Sequence, residues 1–312
     1  MTSDSVLVLF PGALGDFLCF LPTLVAVRAA HVGRLCLVAQ PAFFDLVRLT
    51  DTTTVSIHRR EIADLFSTRG SLAPETIVLF GGFARVYSWT GFGDAQVARR
   101  LAEVTGGQVE MHRFRGMRPG EHAVDYYARC VGLQPAPPAP AIVMDEQWLG
   151  DFLAHHGLAA HGFIVMHPGS GAPRKNWEGF GAVARQWRQQ HRDAVVALYG
   201  PVETERRPAA IVDSIAVDGL SLPQGAALLR RSRLYLGNDS GISHLAGIVG
   251  ARGVVVIGPT DPTVWAPRSE SLKILHAPDA CVHCGPERFC THRLATSSVV
   301  AALEGAADSV ET

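Results

Sequence analysis

Two short polar loops late in the chain have the residue types that bind phosphate. The segment Gly237-Asn238-Asp239-Ser240-Gly241 comes directly before the apolar run 242–249. This order predicts a helix whose first backbone N–H groups, flanked by small side chains, can hold a phosphate. The predicted strand Gly253–Ile257 then leads into a second polar turn, 258–262. Because ligands of open α/β sheets bind beyond the carboxyl ends of the strands, both loops together indicate a nucleotide-sugar site. For either loop alone, an ordinary capped helix or a proline-stiffened turn is the alternative interpretation.

Asp16 is a candidate for acid–base chemistry near the start of the chain. The apolar run 6–10 predicts a buried strand, and the spacing of apolar residues in 17–29 predicts a helix. Asp16 ends the turn between them, where a carboxylate can take the proton of an attacking hydroxyl. The alternative is that Asp16 caps the helix, since aspartate is favoured at that position.

Lys175 is the candidate cation for a departing phosphate group. It and Lys273 are the only lysines of the chain, and it follows the glycine-containing loop 167–174. A fixed cation beside N–H donors stabilises the charge that develops on a leaving diphosphate. Arg174 is expected to be a solvated surface residue, and Trp177 is expected to pack beneath the loop.

The order of predicted elements indicates a doubly wound α/β fold that occurs twice. Strands and helices alternate in each half, which favours parallel sheets. The proline-rich stretch 135–140 is the clearest break, and we expect an N-terminal domain over 1–150 and a C-terminal domain over 151–312. The predicted strands are 6–10, Leu35–Ala39, 76–80, 163–166, 194–199, 234–236 and Gly253–Ile257, with helices over 17–29, 41–49 and 145–156.

Composition excludes several classes of function. The chain has 312 residues, 47% of them hydrophobic, and a net charge of −1, which argues against nucleic acid as a partner. No apolar run reaches the 18 residues that predict a membrane span, and no basic segment precedes the first strand as a secretory signal would require. We therefore expect a cytoplasmic protein, with peripheral membrane contact left open. No Asp-x-Asp pair occurs, which favours a reaction without an obligatory metal or other cofactor.

Three segments together resemble glycosyltransferase family 9, the ADP-heptose heptosyltransferases. They are FPGALGDFLCFLPTLVAVRAA from Phe10, IVMHPGSGAPRKNWEGFGAVARQW from Ile164, and GNDSGISHLAGIVG followed by VVVIGPTDPTVWAP from Gly237. The resemblance implies the GT-B fold, with two Rossmann-like domains facing a central crevice: an acceptor-binding domain first and a donor-binding domain second. It also implies inverting transfer of heptose from ADP-heptose to a saccharide acceptor, such as the inner core of lipopolysaccharide. A soluble small-molecule acceptor or a different nucleotide-sugar donor remains an alternative.

The resemblance also assigns roles to individual residues. It makes Asp16 the catalytic base and Lys175 the residue that holds the diphosphate. Glu203 would bind the ribose hydroxyls and Asp239 those of the donor sugar. The complete set implied for the donor is Ser170, Gly171, Lys175, Glu203, Asp239, Ser240, Gly241 and His244.

A basic cluster in the first half, HRFRGMR over 112–118, could meet a phosphorylated acceptor of the kind that this family often uses. The predicted acceptor contacts are therefore Arg113 and Arg115 of this cluster, together with Gly15 beside Asp16. A solvated loop is the alternative interpretation of the cluster.

The cysteines give a weaker signal. Cys281, Cys284 and Cys290, with His283 and His292, have a spacing that would suit zinc, but no second Cys-x-x-Cys completes the pattern. We expect a structural cluster without metal there, and buried thiols at Cys19, Cys36 and Cys130.

Two other classes of protein are disfavoured by the sequence. A dinucleotide-dependent oxidoreductase would carry Gly-x-Gly-x-x-Gly where this chain has Pro-Gly-Ala-Leu-Gly-Asp at 11–16. A catalytically silent nucleotide-sugar binding protein would not need both Asp16 and Lys175.

Overall fold

The chain divides into two compact α/β units. The computed structural model describes residues 4–67, 70–200, 210–276, 291 and 294–308. The first unit is Met1–Pro140 and the second is Ala141–Thr312. The division lies within the proline-rich break, ten residues before the predicted boundary at 150, which falls inside a helix of the second unit, Glu146–His156.

The first unit is built on a five-stranded sheet in which every pairing is parallel. Its first strand, VLVL, is buried along its whole length, as expected of a parallel strand covered on both faces. The strand order is β3-β2-β1-β4-β5. The strands are β1 (Val6–Leu9), β2 (Leu35–Ala39), β3 (Thr53–Ser56), β4 (Arg85–Ser88) and β5 (Gln108–Met111).

Helices cover this sheet, and one of them corrects the sequence prediction. The stretch 76–80 was predicted as a strand and lies instead in the helix Pro74–Phe80. Thr76 and Phe80, four residues apart, are buried, whereas Val78 is 82% exposed, so burial follows the period of a helix. The helices are α1 (Leu14–Ala30), α2 (Arg60–Leu65), α3 (Pro74–Phe80), α4 (Ala95–Thr105) and α5 (Ala123–Cys130), and the predicted helix 41–49 is the 3₁₀ helix Pro41–Thr50.

The second unit contains a six-stranded, all-parallel sheet in the order β11-β10-β9-β6-β7-β8. All four strands predicted in this half are present, two of them longer at the carboxyl end than predicted. The strands are β6 (Phe163–His167), β7 (Ala194–Leu198), β8 (Ile215–Val217), β9 (Leu234–Asn238), β10 (Gly253–Ile257) and β11 (Leu272–His276).

One apolar core in this unit joins the sheet to helices on one of its faces. It includes Met166 of β6, Leu236 of β9 and Val256 of β10, with Trp187 as its largest fully buried side chain. The helices are α6 (Glu146–His156), α7 (Phe180–Gln190), α8 (Leu222–Arg231), α9 (Gly241–Ile248), α10 (Pro262–Trp265) and α11 (Thr296–Asp308), with a 3₁₀ turn at Pro173–Lys175.

None of the helices within the described ranges is both long and apolar enough to cross a lipid bilayer. The doubly wound fold predicted for each half is confirmed by the two parallel sheets.

Candidate functional site

The strand order of the second unit changes direction between β6 and β9. The chain runs outward from β6 to β7 on one side and from β9 to β10 on the other, so the loops after β6 and β9 diverge. A ligand crevice forms at such a switch point, beyond the carboxyl ends of the strands. The loop after β6 carries Ser170, Gly171 and Lys175, and β9 leads into Asp239 and Ser240. The fold thus brings together five of the predicted donor residues.

Lys175 and Asp239 form an ion pair across this switch point. Lys175 Nζ lies 2.7 Å from Asp239 Oδ2, and the two side chains are 27% and 6% exposed. The same carboxylate oxygen accepts a hydrogen bond from the hydroxyl of Thr260, which follows β10. One carboxylate therefore joins a cation and a hydroxyl from the two loops on either side of it.

Asn238, at the end of β9, fixes the loop that carries Lys175. Its Nδ2 donates to the carbonyl oxygen of Pro168 at 2.7 Å, and its Oδ1 accepts from the backbone N–H of Trp177 at 3.0 Å. Ser170 Oγ lies 2.7 Å from Asn176 Oδ1, inside the same loop. These bonds hold the backbone of the loop that carries Lys175 against the end of β9. Trp177 is buried and its Nε1 donates to Leu294 O, which confirms the packing role predicted for it.

The start of α9 supplies the polar helix terminus that the sequence predicts. Ser240 is the N-cap residue, and its Oγ accepts from the backbone N–H of Ser243 at 3.3 Å. Gly241 is the first helical residue, and the buried His244 follows one turn after Ser240. On the facing loop, Gly171 is exposed, and a Cβ added to it would meet no atom within 4 Å. Small residues thus leave room for a phosphate beside the backbone.

Two groups of predicted residues fall outside the described part of the chain. Glu203 is one, and the cluster of Cys281, His283, Cys284, Cys290 and His292 is the other. Within the described residues, no group of three or more His, Cys, Asp or Glu side chains could hold a metal ion.

The three other cysteines form no disulfide within the described part of the chain. Cys19 and Cys36 are buried as predicted, and burial raises the pKa of Cys36 to about 11. Cys130 is only partly buried, which corrects the prediction for that residue.

Asp16 lies at the corresponding switch point of the first unit, between β1 and β4. The predicted helix starts earlier than expected, at Leu14, so Asp16 stands in its first turn after Gly15 and is not the N-cap residue. Its Oδ2 accepts from the N–H of the actual N-cap residue, Ala13, at 3.3 Å, and its side chain is only 4% exposed. The carboxylate is thus buried and held by the turn that follows β1.

Arg115, in the loop that follows β5, forms a bidentate ion pair with this carboxylate. Its Nε donates to Asp16 Oδ1 at 3.0 Å and its Nη2 to Oδ2 at 2.9 Å. The hydrogen bond to Asp16 raises the pKa of the Arg115 guanidinium above its usual value, so this cation stays charged. Burial, and after it the charges of Asp16 and Cys19, raises the pKa of the neighbouring Tyr127.

The predicted acceptor residues therefore have different surroundings. Arg115 is bound to the predicted base, which spacing could not reveal because 99 residues separate them. The guanidinium carbon of Arg113 lies 5.3 Å from the centre of the Phe92 ring. No individual role was predicted for Thr260 or Asn238, although the two polar loops that contain them were predicted to form the site.

The family follows from comparison with known proteins. The model of glycosyltransferase family 9, the heptosyltransferase family, matches residues 127–291, more than half of the chain. The chain therefore belongs to glycosyltransferase family 9 and is a glycosyltransferase. Comparison with curated protein sequences finds no match.

Similar solved structures share the fold over their whole length. A glycosyl transferase of family 9 from Veillonella parvula has a TM-score of 0.75 at 20% identity, over 100% of this chain and 99% of that one. The ADP-heptose lps heptosyltransferase II of E. coli gives 0.73 at 16%, over 99% and 100%. The E. coli heptosyltransferase WaaC with ADP gives 0.65 at 19%, over 97% and 99%. This likeness identifies the fold as GT-B.

Proposed function

We propose that the protein transfers a heptose from ADP-heptose to a hydroxyl of a saccharide acceptor, with inversion at the anomeric carbon. In this reaction the acceptor oxygen bonds to the anomeric carbon while the bond from that carbon to the diphosphate breaks. The bonding electron pair leaves with the diphosphate, and the acceptor's proton passes to a base. The protein must therefore stabilise a growing anion at one point and accept a proton at another.

The ion pair between Lys175 and Asp239 is the observation that carries this proposal. A diphosphate arriving at the switch point meets Lys175, whose loop is held at the end of β9 by the bonds of Asn238. When Lys175 turns to the phosphate, Asp239 is left to accept hydrogen bonds from the donor sugar, with the Thr260 hydroxyl still holding it. The start of α9 at Ser240 and Gly241 adds backbone N–H groups.

Adenine and heptose are proposed from the relatives. One similar structure is an ADP-heptose lps heptosyltransferase, and WaaC has been solved with ADP and with ADP-2-deoxy-2-fluoro heptose. We assign ribose binding to Glu203, which lies outside the described residues, and sugar and phosphate contacts to His244, Gly171 and Ser170. No metal or cofactor is required in this scheme, because Lys175 and the helix start supply the positive charge.

Asp16 is proposed as the base. It is a buried carboxylate at the switch point of the first unit, and Gly15 beside it offers backbone to an acceptor. A saccharide of the lipopolysaccharide inner core is the acceptor that we favour, bound in the N-terminal unit by Arg113 and Arg115. A soluble acceptor with the same reacting hydroxyl is the second candidate.

The test is transfer from ADP-heptose to a panel of core saccharides and soluble glycosides, with the anomeric configuration of the product read by NMR. We expect an inverted linkage and loss of at least about 100-fold in kcat for Asp16→Asn, the contribution typical of a general base. Asp45→Asn is the control, because Asp45 is paired with Arg48 on the surface of the same unit. Retention of configuration, or full activity of Asp16→Asn, would contradict the mechanism.

A further inference from the structure

Arg115 covers the carboxylate that the proposed function uses as its base. The guanidinium donates to both oxygens of Asp16, and Ala13 N–H donates to Oδ2 from the helix side. Asp16 is 4% exposed, whereas the Arg115 side chain is 56% exposed, so the guanidinium stands on the solvent side of the pair. In this conformation both oxygens of Asp16 are bound and covered, so an incoming hydroxyl does not reach them.

The backbone beneath Arg115 is fixed. Tyr126 OH donates to the carbonyl oxygen of Arg113, and Tyr127 OH donates to that of Phe114 at 3.3 Å. A Cβ on Gly116 would lie 2.8 Å from Tyr126 Oη, so the loop passes too close to α5 for a larger residue. The cover over Asp16 can therefore open by rotation of the Arg115 side chain alone, without movement of the loop.

A second cation stands on the same loop. Arg113 rests over the Phe92 ring, whose side chain is 49% exposed, and within the described residues it makes no ion pair. The loop thus offers one guanidinium, that of Arg113, with no acidic partner in the described part of the chain and one that is bound to Asp16. An anionic group that binds Arg113 can also bind the guanidinium of Arg115, two residues along the chain.

We propose that Arg115 is a removable cap on Asp16, drawn away by an anionic group of the acceptor that also contacts Arg113. This inference rests on the proposed role of Asp16 as the base. It makes Arg115 a positioning residue that couples acceptor charge to activity: a neutral acceptor leaves the base covered, whereas a phosphorylated or carboxylated one uncovers it.

Movement of the cap can be tested directly with inorganic phosphate as the probe. The ¹H–¹⁵N signal of Arg115 Nε, assigned by its loss in Arg115→Gln, reports the hydrogen bond to Asp16. With ADP present to fill the donor site, we expect added phosphate to shift this signal and that of Arg113 in a saturable way. Shifts that do not saturate, or an Arg115 signal that stays in place, would overturn the proposal.

Uncovering the base can be tested by hydrolysis of ADP-heptose, in which water replaces the acceptor. Water oxygen bonds to the anomeric carbon, ADP leaves with the bonding electrons, and the water's proton passes to Asp16. A general base contributes about 100-fold or more, so we expect Arg115→Gln to release ADP roughly tenfold faster than the wild type. Arg48→Gln, the same change at a surface pair of the same unit, is expected to have no effect.

The double variant Asp16→Asn with Arg115→Gln separates the cap from the base. If the faster ADP release of Arg115→Gln is lost in the double variant, the results support both Arg115 as the cap and Asp16 as the base. If Arg115→Gln brings no gain, including no detectable hydrolysis, the cap is wrong and the role of Asp16 remains to be judged by transfer. If the double variant keeps the gain, Asp16 is not the base and the proposed function fails with the cap.

Discussion

Lys175 and Asp239 meet across the switch point of the second unit, although 64 residues separate them in the chain. Lys175 ends a 3₁₀ turn after β6, and Asp239 directly follows β9, the neighbouring strand. The pair neutralises itself in this structure, and the proposed function assigns the diphosphate to Lys175 and the donor sugar to Asp239. When a diphosphate binds Lys175 and a sugar binds Asp239 at the same time, the ion pair can separate while each charged group keeps a polar partner.

Removal of Lys175 and removal of Asp239 are expected to lower the free energy of unfolding by different amounts. Lys175→Met leaves the buried Asp239 carboxylate with the Thr260 hydroxyl but without a cation. Asp239→Asn leaves Lys175, whose side chain is 27% exposed and can turn to water. We expect Lys175→Met to lower the free energy of unfolding by about 1–3 kcal/mol and Asp239→Asn by less.

The double variant Lys175→Met with Asp239→Asn closes the thermodynamic cycle. It should be more stable than Lys175→Met alone, because the uncompensated carboxylate is gone. Urea unfolding of the four proteins measures this, and strictly additive losses would contradict a direct interaction.

Gly171 offers a test of backbone contact with the donor. A Cβ there meets no protein atom within 4 Å, so Gly171→Ala should leave the unfolding transition nearly unchanged. If the diphosphate approaches this backbone, the added methyl group stands in its way, and the affinity for ADP should fall by about tenfold, or ~1.4 kcal/mol. Unchanged ADP affinity would place the diphosphate elsewhere.

Features of this structure that depend on residues close in sequence can be predicted, whereas features that depend on distant residues cannot. Four strands of the second unit, β6, β7, β9 and β10, were predicted because each contains a continuous apolar run. The short β8 and β11, which contains a lysine and a histidine, were not predicted. The helix α3 was mistaken for a strand because Ile77, Val78 and Leu79 are residues typical of strands, while Pro74 and Glu75 favour a helix start. Tertiary packing on Thr76 and Phe80 decides the outcome, and that is not visible in local composition.

The same limit on prediction from sequence applies to the residues of the site. Asp16, Lys175 and Asp239 could be singled out because each follows a predicted strand. The partner of Asp16 could not, since Arg115 comes from another strand end and the pairing depends on the strand order of the folded sheet.

Gly12 should be required for the turn that holds Asp16. A Cβ at this position would clash with the buried Phe10 ring and lie 2.8 Å from Asp16 Cβ. Gly12→Ala should therefore destabilise the protein by about 1–3 kcal/mol, the usual cost of overpacking, and reduce transfer. Gly150→Ala is the matched control, because it adds the same methyl group in open space on α6 and should be neutral or stabilising by ~1 kcal/mol. Equal stability of the two variants would contradict the steric constraint.

His112 should make stability depend on pH. Burial lowers its pKa below the ordinary 6.5, and Glu110 opposes this only in part. Its Nε2 is buried and has no hydrogen-bond partner among the residues that the structure describes. The unfolded chain therefore binds this proton more readily, so the contribution of neutral His112 is present above pH 6.5 and is lost as the pH falls below it. His112→Gln should flatten the fall in unfolding free energy between about pH 7 and pH 5. Parallel pH curves for the variant and the wild type would refute this.

Calorimetric titration with ADP, GDP and UDP tests the donor site most directly. The chain offers an unusually clean comparison, because its only two lysines are Lys175 and the exposed Lys273 on β11. We predict preference for ADP, a loss of about 10–100-fold in ADP affinity for Lys175→Met, and wild-type affinity for Lys273→Met. Preference for GDP or UDP, or equal affinity of both lysine variants and the wild type, would contradict the proposed binding of ADP-heptose at Lys175.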